Sequence, residues 1–332
     1  MAQPPAVNIT MPVFNRPELT DLAIRSLRKG AGSIPFTLTV VDNGSEAPLV
    51  AWLREQHKAG LIDKLFLLPR NMGISCACNI GWEMTDAPFY CKLDNDIFIQ
   101  SPDWLEKLFR LWSHGLPLSN LGPAWTQKGL VHTEGFLETP DGTLGICRTN
   151  LPGCSIFIPK AVSDILGCWS EDYGLYGAED GDYALRMDCA GFPQYLYLAP
   201  GLLRHMGERQ TGFVDQYEKH GLDRVRENRA LFQSPDGGVG LFPLNHYLFN
   251  ACIRNWKVPR KYEVADVDSR GHVNLREREE FAEVMDAILL CKRKVDEIFR
   301  RTGSFDPIYE PDFVAELKEI MARCGQAMPE PS

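Results

Sequence analysis

The chain of 332 residues is first defined by what it lacks. No Gly-x-Gly-x-x-Gly follows its first strand-like run, and no Gly-x-x-x-x-Gly-Lys-Ser/Thr occurs anywhere; this speaks against a nicotinamide dehydrogenase and a P-loop enzyme. No stretch approaches the ~20 apolar residues of a membrane span. The start, MAQPPAVNIT, has neither a basic n-region nor an apolar h-region, so no secretory leader is expected. The 10 cysteines are scattered, without the paired C-x-x-C spacing of a zinc site. Free, mostly buried thiols in a reducing cytosol are the expectation. Excess positive charge is missing too: 35 Lys and Arg face 44 Asp and Glu, and a net charge of −9 disfavours a nucleic-acid backbone as partner. Internal repeats and low-complexity tracts are absent.

What is present is an ordinary globular composition, 44% hydrophobic and 24% charged, in a chain long enough for one large α/β domain with an appendage, or for two domains. Strand-like runs AVNITMPVF (6–14), FTLTVV (36–41), KLFLLP (64–69) and FYCKLD (89–94) alternate with helical patterns at 18–29, near 47–58 and near 75–84. That rhythm predicts βαβ units in a mostly parallel, Rossmann-like sheet flanked by helices. SPDWLEKLFRLW predicts a helix with Ser101 as N-cap, shorter strands follow over 118–158 with PDGT as a turn, and a helix starts near Ala178. Strand-like YLYLA (195–199) and LLRH (202–205) precede a C-terminal region that reads as helical from about 215, with a long amphipathic helix over 274–299 whose apolar face packs on the main domain. Ligands of such sheets bind beyond the carboxyl ends of the strands. Thr10 to Asn15, Asp42 to Ser45, Arg70 to Gly73 and Asp94 to Asp96 therefore share one rim.

In YCKLDNDIFI a run built like a buried strand ends on two carboxylates, Asp94 and Asp96. Burying an unpaired carboxylate costs several kcal/mol, so something must offset the charge, and a divalent cation is the economical candidate. Asp42 in VVDNGS can accept from a ligand's N–H or close an Asx-turn with Gly44, and Asn71 with Gly73 reads as a tight turn. Glu179, Asp180 and Asp182 open a helix whose dipole favours negative charge there, and Asp182 with Arg186 has the spacing of a surface pair.

Taken in order, MPVFNRP, VVDNGS, RNMGISCACNIG, LDNDI and YGAEDGD, over roughly residues 6–210, resemble the inverting, family 2 nucleotide-sugar glycosyltransferases of the GT-A fold. The resemblance implies a GT-A domain over 1–214, with a nucleotide-binding half at 1–115, an acceptor-side half at 116–214, and a helical region at 215–332. It implies that Thr10, Pro12 and Asn15 line the nucleotide cleft, that Asp42 bonds the base, and that Arg70, Asn71 and Asn79 close the nucleotide side. Asp94 would face the ribose and Asp96 an Mn²⁺ or Mg²⁺ ion, both hard cations that take oxygen ligands, with His205 of LLRHMGER completing the metal site. Asp180 would be the base that deprotonates the acceptor, and Glu179 would bind acceptor or sugar.

Two departures stand out: Cys78 occupies a position where the family's pattern commonly has arginine, leaving a positive contact missing or supplied by Arg70, and the Gln-x-x-Arg-Trp element of processive synthases is absent. The expectation is a non-processive enzyme, free in the cytoplasm or peripheral at a membrane surface, that moves one sugar from a nucleoside diphosphate donor, UDP-linked by preference, to a hydroxyl acceptor on a glycan, protein or small molecule. The alternatives are a catalytically silent sugar- or nucleotide-binding module, and a sugar-phosphate nucleotidyltransferase, whose glycine-rich basic loop PVFNRPE does not supply.

Overall fold

The computed structural model describes residues 6–113, 120–123, 133–148, 153–198, 201–206 and 237–328. Strand β1 (Val7–Val13) is buried at every position, as a strand at the centre of a parallel sheet must be. On one side it pairs in parallel with β2 (Phe36–Asp42), which pairs in parallel with β3 (Lys64–Leu67); on the other it pairs in parallel with β4 (Phe89–Leu93). Helices α1 (Pro17–Gly30), α2 (Ala47–Lys58) and α3 (Ile74–Glu83) return the chain between them. Helix α1 has Pro17 at its start, Glu18 in the first turn, Arg28 and Lys29 in the last, and Leu19, Ala23, Ile24 and Leu27 buried at helical spacing. Helix α3 lies so close to β1 that a Cβ on Gly81 would come within 2.3 Å of Thr10 Cγ2.

After the short strand β5 (Ile97–Ile99), helix α4 spans Trp104–Ser113, a later start than its sequence predicts. Ser101 is not its N-cap. The Ser101 hydroxyl donates to Asp103 Oδ1 at 2.5 Å, and the Lys107 N–H already reaches the Asp103 carbonyl, so Asp103 takes the cap position.

The sheet continues through β6 (Asn120–Pro123), β7 (Thr133–Thr139), β8 (Gly142–Cys147), β9 (Ser155–Pro159) and β10 (Gln194–Tyr197). Among the described residues its order is β3-β2-β1-β4-β9-β6-β10-β8-β7. PDGT forms the β7–β8 turn as read. Strand β9 runs antiparallel to β4, with Ser155 opposite Leu93, so the residues just before β9 reach the rim where β4 ends. Helices α5 (Lys160–Leu166) and α6 (Glu179–Cys189) follow β9. Strand β11 (Leu203–His205) pairs antiparallel with β5 and sets His205 opposite Ile97.

The C-terminal region comprises α7 (Leu241–Asn250), β12 (Tyr262–Val267), β13 (Val273–Glu277), α8 (Glu279–Thr302) and α9 (Pro311–Arg323). Its helical reading needs one correction, and the part of it over 215–236 lies outside the described residues. Residues 273–277 are a strand, because Val273 and Leu275 alternate with exposed Asn274 and Arg276, a period of two. Their hairpin turns where Asp268 Oδ1 accepts the amides of Arg270 and His272 and Gly271 adopts φ +83°. Val273 packs with Val41, Phe66 and Ile80, so the hairpin covers α3 and the β2–β3 face. Helix α8 buries Phe281, Val284, Ile288, Val295 and Ile298, and packs with α7 and α9 rather than on the sheet. Six of the ten cysteines are buried. Among the described residues no helix is long and apolar enough to cross a membrane.

Candidate active site

At the carboxyl ends of β1 and β2 the chain makes two interlocked loops. Asn15 and Arg16 both take left-handed backbone angles, φ 54° and 62°, which non-glycine residues adopt rarely and at a cost. The conformation lets the Asn15 N–H donate to Ser45 Oγ at 2.8 Å while Asn15 Oδ1 accepts the Glu46 N–H at 3.0 Å. Asp42 Oδ2 accepts the Ser45 N–H at 3.2 Å, closing an Asx-type turn, and burial pushes its carboxyl above the ordinary range. Among the described residues Asp42 Oδ1 is buried with no hydrogen-bond partner.

The remaining nucleotide-side residues divide. Asn71 Oδ1 accepts the Gly73 N–H at 3.0 Å, the tight turn read from sequence, and Arg70 is exposed on the same turn. Pro12 is buried near the end of β1. Thr10 does not line a cleft: it is fully buried, with its side chain against Gly81 of α3. Asn79 is a structural clamp, not a rim residue. Its amide donates to the Trp169 carbonyl at 2.9 Å and Glu171 Oε1 at 3.0 Å, and its Oδ1 accepts the Trp169 N–H at 2.8 Å, which leaves little capacity for a ligand.

The charge question raised by Asp94 and Asp96 has a direct answer in side chains. Lys92, two residues back on the same face of β4, is 1% exposed and donates from Nζ to Asp94 Oδ1 at 2.6 Å and to the Gly153 carbonyl. Burial opposes its charge, yet Asp94 and the nearby Glu179 outweigh burial and hold the ammonium well above its ordinary pKa. Arg16 Nη1 donates to Asp96 Oδ2 at 2.7 Å, and His205 Nε2 stands 3.3 Å from Asp96 Oδ1. Burial opposes the Asp96 charge, but His205 and Arg16 prevail and hold its carboxyl below the usual range.

The second acidic cluster meets the first through one glycine. Ala178 at φ 66° turns the chain into α6, and Asp180 then accepts the Gly181 N–H on Oδ1 at 2.8 Å and the Gly153 N–H on Oδ2 at 3.0 Å. Glu179 accepts the Gly177 N–H at 2.8 Å; burial, helped by the Asp180 charge, raises its carboxyl to about 7.

Residues 8–122 match the family model described as "Glycosyl transferase family 2". The match spans β1 to β6 and includes Asp42, Lys92, Asp94 and Asp96. Among solved structures the chain is similar to "Crystal structure of S. aureus TarS", at 15% identity and a TM-score of 0.47, covering 73% of this chain and 43% of that one. No curated protein matches it.

Within the matched segment, Cys78 is fully buried, and Lys92 of β4 lies within electrostatic reach of it. Among the described residues no three His, Cys, Asp or Glu side chains form a ready cation cage. Asp96 Oδ1 and His205 Nε2, 3.3 Å apart, are a carboxylate and an imidazole that could serve as two ligands of an Mn²⁺-type ion.

Asp182 departs from its surface-pair reading. It and Arg186 are both 0% exposed and 2.7 Å apart, and the Tyr173 hydroxyl donates to Asp182 at 2.8 Å. Sequence reasoning missed Lys92, Arg16 and Gly153. The signal for Lys92 was available: a lysine inside an apolar strand, on the same face as a carboxylate two residues on.

Proposed function

We propose that this chain is a nucleotide-sugar glycosyltransferase that moves one sugar, with inversion, from a UDP-linked donor to a hydroxyl acceptor without processive extension. The observation that carries the reading is the meeting of two carboxylate clusters at one rim, Asp94 and Asp96 after β4 and Glu179 and Asp180 at the start of α6, with a buried Asp42 Oδ1 at the end of β2 that has no partner among the described residues. Asp42 would accept the imide N–H of a uracil, and the Asn15 and Arg70–Asn71 loops would enclose the nucleotide. Asp180 takes the acceptor hydroxyl's proton as that oxygen attacks the anomeric carbon; the bond to phosphate breaks, and its electron pair leaves with the diphosphate. Glu179 holds acceptor or sugar, in its protonated form below a pH of about 7. Asp96 and His205, with Asp94 beside them, would hold Mn²⁺ or Mg²⁺, which neutralises charge on the departing diphosphate. The ten free cysteines, six of them buried, fit a reducing, cytoplasmic site of action.

Two measurements test this. With Mn²⁺ present, UDP should raise the melting temperature more than ADP or GDP, since a ligand bound only by the native state stabilises it by mass action. Equal shifts from all three would discard the uridine assignment. Asp96→Ala should abolish release of UDP from a panel of UDP-sugars and leave the fold intact, because Arg16, which pairs with Asp96, is 23% exposed to water. Turnover that survives both this change and EDTA would remove the cation from the reaction.

A further inference from the structure

We infer that Lys92 is a positioning residue of the transfer reaction, a link that sets the donor-side carboxylates and the acceptor-side base in one geometry; the inference rests on the transferase reading above. Its ammonium makes two contacts that belong to different parts of the chain. One is Asp94 Oδ1 at 2.6 Å, at the end of β4; the other is the carbonyl of Gly153, ahead of β9. The Gly153 N–H in turn donates to Asp180 Oδ2 at 3.0 Å. Gly153 is thus held from both ends, by a lysine through its carbonyl and by the proposed base through its amide. Immediately beside it the Asp94 N–H donates to the Cys154 carbonyl at 2.9 Å, so the rims of β4 and β9 are sewn together at this point.

The packing leaves little slack in the link. Lys92 is 1% exposed, and its ammonium lies 6.0 Å from the centroid of the Trp169 ring, which itself stacks on Tyr183 of α6. A Cβ on Gly153 would approach Asp180 Cβ to 2.8 Å, so the glycine is what allows the base to come this near. With 1% of its side chain exposed, Lys92 is placed to act on neighbouring groups rather than on the sugar nucleotide itself. Its influence on the reaction passes through Asp94 and Gly153, and a displacement of about 1 Å at a reacting group can cost on the order of 100-fold in rate.

The test compares wild type, Lys92→Met, Lys92→Arg and Gly153→Ala by kcat and KM for UDP release from the same UDP-sugar panel, with UDP affinity measured separately by titration. Lys92→Met should lower kcat about 100-fold with KM and UDP affinity within about threefold of wild type, the signature of a group that orients and does not bind. Lys92→Arg restores the cation on a stem that can span the same two oxygens and should recover at least tenfold of that loss. Gly153→Ala keeps Lys92 and pushes on Asp180 from the other end of the link; it should reproduce the kcat loss with KM retained, and it decides the matter if Lys92→Met does not fold. Wild-type kcat in folded Lys92→Met or in Gly153→Ala overturns the link. So does a loss confined to KM, which would make Lys92 a donor-binding group. An inactive wild type, by contrast, overturns the transferase reading on which the link depends.

Discussion

Asp180→Asn should lower the rate of sugar transfer by ~100-fold or more while UDP and metal affinity stay near wild type, since general-base catalysis contributes factors of that order. The substitution preserves the side chain's shape and removes its basicity. In the native protein both Asp180 oxygens accept backbone amides, from Gly181 and from Gly153. An asparagine can serve only one of them with its oxygen and sets a donor against the other, so a stability loss of about 1 kcal/mol accompanies the change. The competing account, in which Asp180 only complements the dipole of α6, predicts a loss of roughly 0.5–1 kcal/mol with turnover nearly unchanged. Melting temperature alone does not separate the two, but single-turnover transfer does. A stable Asp180→Asn protein with wild-type turnover would end the claim and move the search to Glu179, which is buried and has a carboxyl raised to about 7.

The largest stability effect is expected far from any solvent-exposed charge. Arg186→Met should destabilise the fold by about 3–5 kcal/mol, the range for breaking a buried ion pair by removing one partner. Arg186 donates to Asp182 at 2.7 Å, to the Leu166 carbonyl at 2.7 Å, to the Cys168 carbonyl at 2.9 Å and to the Trp256 carbonyl at 3.2 Å. Its removal leaves the Asp182 charge uncompensated and takes a donor from three carbonyls, of which that of Leu166 keeps the Val258 N–H. The pair belongs to a larger buried set: Tyr173 bonds Asp182, Asn245 of α7 donates to the Tyr173 hydroxyl, and Arg254 donates to both Asp172 and Asn245. This set fastens α7 to α6, together with Leu185, Phe249 and Val258. Urea unfolding of Arg186→Met and of Asp182→Leu/Arg186→Met checks the mechanism, because the double variant removes the uncompensated charge and should recover part of the loss. A single-variant loss below about 0.5 kcal/mol would return the pair to the surface role that an i,i+4 spacing alone suggests.

Much of the architecture was legible in the sequence, because it depends on short-range patterns. Runs such as VNITMPV and FTLTVV alternate with amphipathic helices, and the helix-opening Pro17 and Glu18 act locally. The same patterns placed Asn15, Asp42 and Asp94 at or just beyond strand ends, since a strand's end is a property of the strand. The early start assigned to the 274–299 helix failed at its first residues because Val273 and Leu275 settle into a period of two with Val267 and Val264 as their partners across the hairpin.

What spacing could not supply is side-chain direction and the identity of distant partners. Thr10 turns into the α3 interface because Gly81 leaves room there, and Asn79 turns to Trp169 and Glu171, about ninety residues away. The identical i,i+4 pattern describes an exposed pair and the fully buried Asp182–Arg186 pair; which one forms depends on whether α7 and the Trp256 segment cover it. By itself the sequence determined the alternating elements, the rim, and the carboxylates at the strand and helix ends, because propensity and periodicity act over a few residues. Only the tertiary structure decided that Lys92, Arg16 and His205 would surround those carboxylates and that Gly153 would join them to Asp180, because the energy of a buried charge is set by whatever the fold brings within a few ångströms of it.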